Sequence, residues 1–325
     1  DLKLKCWFAA ARTANQHFNL NDAHMLLIPT CSEDVTTDML LPLLGEIDVF
    51  RFNIDKWNEY AWEFSNAGIF AQSPDGKILA DNKLKCVYMR KPIFFDAIDV
   101  PANGCLENWC REEVVRLWQD LFYDMAARSR AALVFPAKSK WYKHTQMALA
   151  SKYFKVPEWK IIRGFLPETL KSGKWVAKSL TQTQIGEGKI FLVREIDVDK
   201  IDPYYPWFLQ RKIDAQYDLT AVFVEGEIFA FETSRSELKG EDVRINTKLQ
   251  WDRTELSESE LLAIKSFMKD TGFAFGRFDF LRKDGELIFL EMNPNGMWAW
   301  LDMDYKNGIF ESVANAIKRK YNSIN

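Results

Sequence analysis

The most constraining feature of this sequence is a segment near its C-terminal end, GRFDFLRKDGELIFLEMNPNG. Two apolar runs flank the Lys-Asp-Gly turn at 283–285, and turns of this kind join antiparallel strands. Side chains alternate between the two faces of a strand, so Glu291 and Asn293 share one face of the second strand. The pairing can bring Asp279 of the first strand across from that face. The segment therefore predicts a β-hairpin that gathers three oxygen-bearing side chains in a small volume.

These side chains have the chemistry of a magnesium site. Mg²⁺ usually takes one or two carboxylates from the protein and completes its coordination shell with phosphate and water. Asp279, Glu291 and Asn293 fit that donor set, which indicates a nucleotide phosphate as partner. The hairpin is otherwise apolar, so acids that face the other way are expected to point at a ligand. The alternative is that Asp279 faces solvent and Glu291 caps a turn.

Two lysines stand where a negative partner is expected. Lys143 lies at the start of the predicted helix YKHTQMALASKYF, and Lys178 lies on the predicted strand KWVAKSL, which faces the loop at 182–188. A lysine in an apolar strand is costly to bury without a negative partner, and polyphosphate is such a partner. The alternative is that both lysines are solvated, as most lysines are.

Composition and charge exclude several classes of function. The formal net charge of -3 and the pI of about 5.8 provide no basic field, so neither nucleic acid nor an anionic membrane is expected as a partner. The cysteines form no CxxC pair, and the histidines show no zinc-site spacing. The apolar runs are far shorter than the roughly 20 residues of a membrane-spanning helix, and no signal peptide pattern opens the chain. A cytoplasmic protein is therefore expected.

The alternation of apolar patterns divides the chain from residue 25 onward into three α/β parts, 25–134, 135–206 and 207–325. The predicted strands are MLLIP, DVFRFN, IFAQS, KILA and KCVYMRKP in the first part, KWVAKSL in the second, and PWFLQRKI, LTAVFVEG, EIFAFETS, GRFDFLR and ELIFLEMN in the third. The predicted helices are NWCREEVVRLWQDLFYDMAARS, YKHTQMALASKYF, SESELLAIKSFMKDTG and GIFESVANAIKRKY.

Residues 1–24 differ from the rest of the chain, because Met25 opens the first predicted strand. The tripeptide Ala23-His24-Met25 resembles a cloning seam. It predicts that the preceding segment was joined from elsewhere, for example from a precursor leader, to raise its concentration at a docking surface. The alternative is a native extension that completes the core of the first part.

The order of these features resembles the ATP-grasp superfamily. The series consists of Lys143, Lys178 with the loop after it, Gln210 in WFLQRKI, Asp218 in YDLTAVFVEG, the DxR of Asp242 and Arg244, Asp279 in GRFDF, and Glu291-Met-Asn293-Pro-Asn-Gly. Within the superfamily, VYMRKP, FRFN, the DxR and LEMNPNGMWAWLD are similar to the microviridin-type ribosomal peptide maturases, the graspetide synthetases. The resemblance extends from Met25 to the C-terminus.

This resemblance implies an α/β protein with the ATP-grasp fold, in which a pre-ATP-grasp domain at 25–134 precedes two α+β subdomains that sandwich ATP. It implies that Lys143, Lys178, Gln210, Arg211, Ile213 and Asp218 contact ATP. It also implies that Asp279, Glu291 and Asn293 hold magnesium and that Arg244 and Arg277 act on the transferred phosphoryl group. One position departs from the family, because Thr220 stands where the family usually has arginine. Arg211, Arg235 or Arg277 is expected to replace it, and Arg277 is the best placed since it precedes Asp279 by two residues.

The resemblance further implies an ATP-dependent carboxylate ligase that acts on a ribosomal precursor peptide with a leader and a core. Asp or Glu side chains of the core would be activated as acyl phosphates and attacked by Thr, Ser or Lys side chains, which makes the enzyme a macrocyclase. The leader is expected to dock away from the chemistry, on the apolar hairpin Leu219–Ser234 and neighbouring helices. The alternatives are a ligase that adds an amino acid to a protein or small-molecule carboxylate, and a nucleotide-binding protein with a degenerate site. The oligomeric state, a homodimer included, is left open.

Overall fold

The computed structural model describes residues 24–65, 68–90, 100, 104–128, 130–136, 141–164, 168–180, 193–197, 200–202, 204–236 and 249–323. The N-terminal segment before His24 and the DxR at 242–244 therefore lie outside the described residues, as does the loop at 182–188.

The first part of the chain is built on a four-stranded parallel sheet with the strand order β2-β1-β6-β7. The strands are β1 (Met25–Thr30), β2 (Asp48–Asn53), β6 (Leu84–Tyr88) and β7 (Ala132–Val134), and the helices that follow β1 and β6 are α1 (Val35–Leu40) and α2 (Cys105–Arg128). All six residues of β1 are buried, as expected for a central strand covered on both faces.

A buried ion pair lies where this parallel sheet ends. Arg90 follows β6 and is 3% exposed, and its Nε lies 3.3 Å from Oδ2 of Asp34, the N-cap residue of α1. The hydroxyls of Thr30 and Thr37 also donate to Asp34, at 2.6 and 2.7 Å. Burial opposes ionisation of Asp34, but Arg90 and the hydroxyl donors together hold its pKa below the usual range.

A three-stranded antiparallel sheet, with the order β3-β4-β5, packs beside the first sheet. Its strands are β3 (Ala61–Ser65), β4 (Gly68–Gln72) and β5 (Ile78–Ala80). Ile69 and Leu79 of these strands join Phe52 of β2 and Phe122 of α2 in one buried cluster, which closes the first part of the core.

The middle of the chain forms a four-stranded antiparallel sheet with the order β10-β9-β11-β8. Its elements are the helix α3 (Lys143–Ala150) and the strands β8 (Trp159–Ile162), β9 (Trp175–Lys178), β10 (Arg194–Ile196) and β11 (Trp207–Arg211). One face of this sheet carries Trp175 and Leu209 in a small core of its own. The other face carries Phe208, which packs toward the third part of the chain.

The third part is a five-stranded antiparallel sheet with the order β14-β13-β12-β15-β16 and one helix on each face. Its elements are β12 (Tyr217–Val224), β13 (Glu227–Ser234), β14 (Asp252–Arg253), α4 (Glu258–Thr271), β15 (Phe275–Lys283), β16 (Glu286–Asn293) and α5 (Ile309–Asn322). A capping box between Ser257 and Glu260 begins α4, and Gly272 in a left-handed conformation ends it.

The two faces of this sheet pack against different partners because alternate residues point to opposite sides. Phe278 and Phe280 lie against Phe267 of α4. Val222, on the opposite face of the sheet, belongs to a core that also contains Leu26 of β1 and Val313 of α5. The N-terminal parallel sheet and the C-terminal helix thus share one hydrophobic core.

Most of the expected elements are confirmed, and the additional ones are short. Every predicted helix is present, although α3 ends at Ala150 rather than continuing to Phe154. Sequence patterns did not predict α1 or the strands β3, β7, β8, β10 and β14. In the part of the chain that the structure describes, every helix is either too short or too polar to span a lipid bilayer.

Candidate metal and nucleotide site

The candidate site is a row of polar side chains that crosses three neighbouring strands. Thr220 of β12 pairs with Asp279 of β15, which in turn pairs with Glu291 of β16. The adjacent row pairs Arg277 of β15 with Asn293 of β16. Directly paired residues of antiparallel strands point to the same face, so all five side chains share one face of the sheet. A register shift just after Asp279 marks a β-bulge beside this row.

Glu291 is surrounded by groups that stabilise its charge. Nζ of Lys143 donates to its Oε2 at 2.9 Å, and Nδ2 of Asn293 donates to its Oε1 at 3.0 Å. Burial by itself would raise the pKa of Glu291. The ammonium groups of Lys143 and then Lys178 outweigh that effect and hold the pKa far below the usual range. Glu291 is therefore ionised, with two cations beside it.

Asp279 has a different electrostatic environment although it lies directly opposite Glu291. Its Oδ2 accepts a hydrogen bond from Nη2 of Arg277 at 2.8 Å, and the hydroxyl of Thr220 lies 3.5 Å from its Oδ1. Burial raises the pKa of Asp279. The Arg277 guanidinium opposes this shift, and the negative charge of Glu291 adds to it. Two neighbouring carboxylates of this kind are stabilised as a pair when a cation lies between them.

The turn after β16 holds Arg277 in place. Nη1 of Arg277 donates to the carbonyl of Met297 at 2.9 Å. A Cβ atom on Gly296 would lie 2.8 Å from Cβ of Arg277 and 3.1 Å from Cβ of Asn293. The glycine of the NPNG motif therefore lets the turn pass directly over these two side chains. This packing role was not expected from the motif, which in the sequence served only to indicate the family.

Lys178 and Gln210 approach the site from the middle sheet. Lys178 of β9 pairs with Phe208 of β11, and Gln210 lies two residues after Phe208 on the same strand. The side chains of Lys178 and Gln210 therefore share the face of Phe208, which packs toward the third part of the chain. Gln210 is 1% exposed, and its Nε2 lies 3.4 Å from Sδ of Met147 on α3. Among the described residues its carbonyl oxygen has no hydrogen-bond partner. A buried acceptor of this kind suits an N–H donor such as an adenine amino group.

The other residues expected to contact ATP are not gathered with these. Arg211 lies on the opposite face of β11, where its guanidinium is 5.2 Å from the ring of Trp175 and donates to the carbonyl of Ser172. Ile213 lies in the connection between β11 and β12 and is half-buried. Asp218 shares the face of Thr220 but is buried in an ion pair with Arg235 at 2.6 Å.

The candidates for the arginine missing at Thr220 can now be compared by position. Arg277 lies on the same face as Thr220, in the adjacent row of the sheet. Arg235 reaches that face through Asp218, whereas Arg211 does not. Arg244 lies outside the described residues, so its expected role stays a prediction.

The leader surface expected on Leu219–Ser234 and neighbouring helices stays a prediction, and the structure limits how a peptide could bind there. β12 is an inner strand, paired with β13 on one side and with β15 on the other, and all of its residues after Tyr217 are buried. This strand has no free edge to which a peptide strand could be added.

The residues present fit a magnesium ion accompanied by phosphate. Asp279 and Glu291 offer carboxylate oxygens, and Asn293 offers an amide oxygen. In the described part of the chain, no group of three or more His, Cys, Asp or Glu side chains forms a complete metal cage. A cation held here would therefore need further oxygen ligands, which phosphate and water provide for Mg²⁺.

Comparison with known proteins identifies the fold. No protein-family model matches the chain, and no curated protein sequence matches it significantly. The crystal structure of the macrocyclase MdnC from Microcystis aeruginosa, bound with the precursor peptide MdnA, matches with a TM-score of 0.76 and 20% identity over 91% of this chain and 99% of that chain. The RiPP-associated ATP-grasp ligase of Chryseobacterium gregarium, in complex with ADP and a leader and core peptide, matches with a TM-score of 0.73 and 21% identity over 91% and 97%.

A more distant structural match is a ligase with a different substrate. The D-alanine–D-alanine ligase from Bacillus anthracis, complexed with ATP, matches with a TM-score of 0.54 and 11% identity over 92% of this chain and 98% of that chain. The chain therefore has the ATP-grasp fold, and the expected fold class is confirmed.

Proposed function

We propose that this chain is an ATP-dependent ligase that activates Asp or Glu side chains of a ribosomal precursor peptide and joins them to Thr, Ser or Lys side chains of the same peptide. The observation that carries the proposal is a convergence of opposite charges. Lys143 and Lys178, from the middle of the chain, act on Glu291, which lies beside Asp279 and Asn293. Cations and oxygen ligands from separate elements on one sheet face suit nucleotide phosphates and their metal.

The proposed reaction has two steps. A carboxylate oxygen of the peptide attacks the γ-phosphorus of ATP, the bond to the β,γ-bridging oxygen breaks, and ADP leaves. A hydroxyl or amine of the same peptide then attacks the acyl phosphate. The ester or amide bond forms, inorganic phosphate departs, and the proton of the nucleophile passes to solvent. Each crosslink thus removes the atoms of one water molecule from the peptide.

Asp279, Glu291 and Asn293 would hold magnesium, which when bound supplies positive charge to neutralise the phosphoryl oxygens. Lys143 and Lys178 would bind the nucleotide phosphates. Because Lys143 already donates to Glu291, its charge would be shared between that carboxylate and the phosphate. Both lysines also keep Glu291 ionised, so the ligand needs no deprotonation before it acts.

Arg277 would orient the reacting phosphoryl group. Its guanidinium is fixed between the Met297 carbonyl and the Asp279 carboxylate, on the face that carries Thr220. A planar guanidinium held in this way is preorganised to stabilise charge that develops on phosphoryl oxygens. Arg235 is less suited, because its charge is neutralised by the buried Asp218. The resemblance in sequence assigns a similar role to Arg244.

The peptide substrate is supported by two of the structural neighbours. The structure of MdnC contains a precursor peptide, and the structure of the Chryseobacterium gregarium ligase contains a leader and core peptide. The matches cover 99% and 97% of those two chains, which supports a precursor peptide as the substrate here. A ligase that adds a free amino acid would share every ATP-binding and metal-binding residue, and it differs from a macrocyclase only in the acceptor.

The test is incubation of the purified chain with ATP, magnesium and a short peptide that is encoded beside its gene and contains repeated Thr and Glu or Asp. We expect ADP release that depends on the peptide, and a product lighter by one water for each crosslink. The same core without its leader is expected to react poorly. ADP release that requires a free amino acid instead of the peptide would identify the alternative ligase, and no acceptor-dependent ADP release would contradict both ligase assignments.

A further inference from the structure

Met292 separates the two ligands Glu291 and Asn293 on β16, and its backbone is held in an unusual way. Its side chain points to the opposite face and is fully buried. Its amide N–H donates to Oε1 of Gln146 at 2.9 Å, and its carbonyl accepts from Nε1 of Trp141 at 2.9 Å. β16 is the last strand of its sheet, so these two side chains take the place that a further strand would occupy.

The two side chains that hold Met292 are themselves fixed by packing. Gln146 is 5% exposed, and its amide nitrogen lies 3.4 Å from the carbonyl of Trp141. The ring of Trp141 packs edge-on against Phe267 and Phe273, at centroid distances of 6.2 and 5.2 Å. Side chains that are held by packing and by further hydrogen bonds, as these two are, can fix the position of the backbone they contact.

The same short segment also carries Lys143. Gln146 lies three residues after Lys143 on α3, which places the two on neighbouring positions of one helical face. One rigid unit therefore holds the ammonium group 2.9 Å from Glu291 and also holds the backbone next to Glu291. A shift of that backbone would change the directions of the Glu291 and Asn293 side chains together.

We propose that Gln146 and Trp141 are positioning residues for the metal site, which hold the Met292 backbone so that Glu291 and Asn293 face one cation together with Lys143. This inference rests on the proposed function, because it concerns the same magnesium and nucleotide. We call Gln146 and Trp141 together the clamp. Neither side chain contacts a reacting atom, and both act by orienting Glu291 and Asn293. Outer residues that orient metal ligands typically change metal affinity by about ten- to hundred-fold when they are replaced.

The test measures the magnesium dependence of ADP binding by calorimetry, which needs no turnover. Gln146→Met keeps the length of the side chain and removes the acceptor for the Met292 N–H. Trp141→Phe removes the indole donor and keeps an aromatic ring, and it serves as the milder second variant. For each variant we expect the magnesium concentration that half-saturates ADP binding to rise by about ten- to hundred-fold. ADP binding without magnesium should be unchanged.

Ser312→Ala is the matched control. Ser312 is buried on α5, and its hydroxyl donates to the carboxylate of Glu227 at the start of β13. This variant should lose stability and keep the magnesium requirement of the wild type. If it shifts the requirement as much as Gln146→Met does, the effect is general destabilisation and the positioning role is overturned.

The calorimetry distinguishes failure of the positioning role from failure of the proposed metal site. The positioning role alone is overturned if the wild type requires magnesium for tight ADP binding and both Gln146→Met and Trp141→Phe have the same requirement. Wild-type protein that binds ADP equally well with and without magnesium would overturn the metal site, and the positioning role with it.

Discussion

Glu291→Gln should separate the catalytic role of this residue from its structural role. The substitution removes one negative charge and retains an oxygen that can accept from Lys143. Lys143 and Glu291 are 21% and 25% exposed, so their ion pair is partly screened, and pairs of this kind contribute about 1 kcal/mol or less. The loss of repulsion with Asp279 offsets part of that cost. A change of about 1 kcal/mol lowers the melting temperature by roughly 2–4 °C in chains of about 150–250 residues, and by less in a chain of 325 residues.

The expected effect on metal-dependent chemistry is much larger. At an effective dielectric constant of about 20, two unit charges about 4 Å apart interact by roughly 4 kcal/mol. The loss of that attraction to a bound cation corresponds to roughly a thousand-fold weaker binding, since about 1.4 kcal/mol is tenfold. Peptide-dependent ADP release at limiting magnesium should therefore fall by at least about a hundred-fold while the protein stays folded.

The assay pairs ADP release with thermal unfolding of the same preparations. Glu286→Gln is the matched control, because Glu286 lies at the other end of β16 in an exposed ion pair with Lys155. The control should retain both activity and melting temperature. Near-normal ADP release by Glu291→Gln would refute the metal assignment. A fall of more than about 10 °C in its melting temperature would show that the residue is mainly structural.

Three further changes test other parts of the site and the fold. Gly296→Ala should lower the free energy of unfolding by about 1–3 kcal/mol in urea titrations and reduce ADP release, because its Cβ would overlap the side chain of Arg277. Arg244→Ala should lower kcat more than it raises the KM for ATP, and Arg244→Lys should rescue only partly, since an ammonium lacks the two-pronged geometry. Asp34→Asn should be less stable than the wild type at pH 7. Because the folded-state pKa of Asp34 is lowered, its contribution is complete above the unfolded value of about 3.9 and is lost as the pH falls below it, so the two proteins should converge in stability under acid conditions.

The hairpin that carries Asp279 and Glu291 could be predicted from sequence because its turn is local. Asp284 and Gly285 both adopt positive φ, at 50° and 81°, which is the geometry of a tight hairpin turn. The turn fixes the register from Lys283 to Phe280, and the β-bulge after Asp279 then shifts the pairing by one residue. Without that bulge the same register would set Asp279 opposite Leu290, so the expected pairing of Asp279 with Glu291 is present but depends on the bulge.

The approach of the lysines was suggested by their settings and by the family resemblance, and only the tertiary structure brings them to Glu291. Lys143 and Glu291 are separated by 148 positions in the chain. Local periodicity contains no information about which distant helix will lie beside a given strand. The position of Arg211 illustrates the same limit, because the one-residue difference from Gln210 turns its side chain to the opposite face of β11.

The sequence by itself therefore determined the hairpin and the α/β character of the chain, because each depends on a turn or on a periodicity within a few neighbouring residues. Only the tertiary structure decided that Gln146 and Trp141 hold Met292, that Gly296 passes over Arg277, and that the first sheet shares a core with α5. These contacts join residues far apart in the chain. They form when separate elements bury their apolar faces against one another, and no local sequence pattern predicts which faces will pack together.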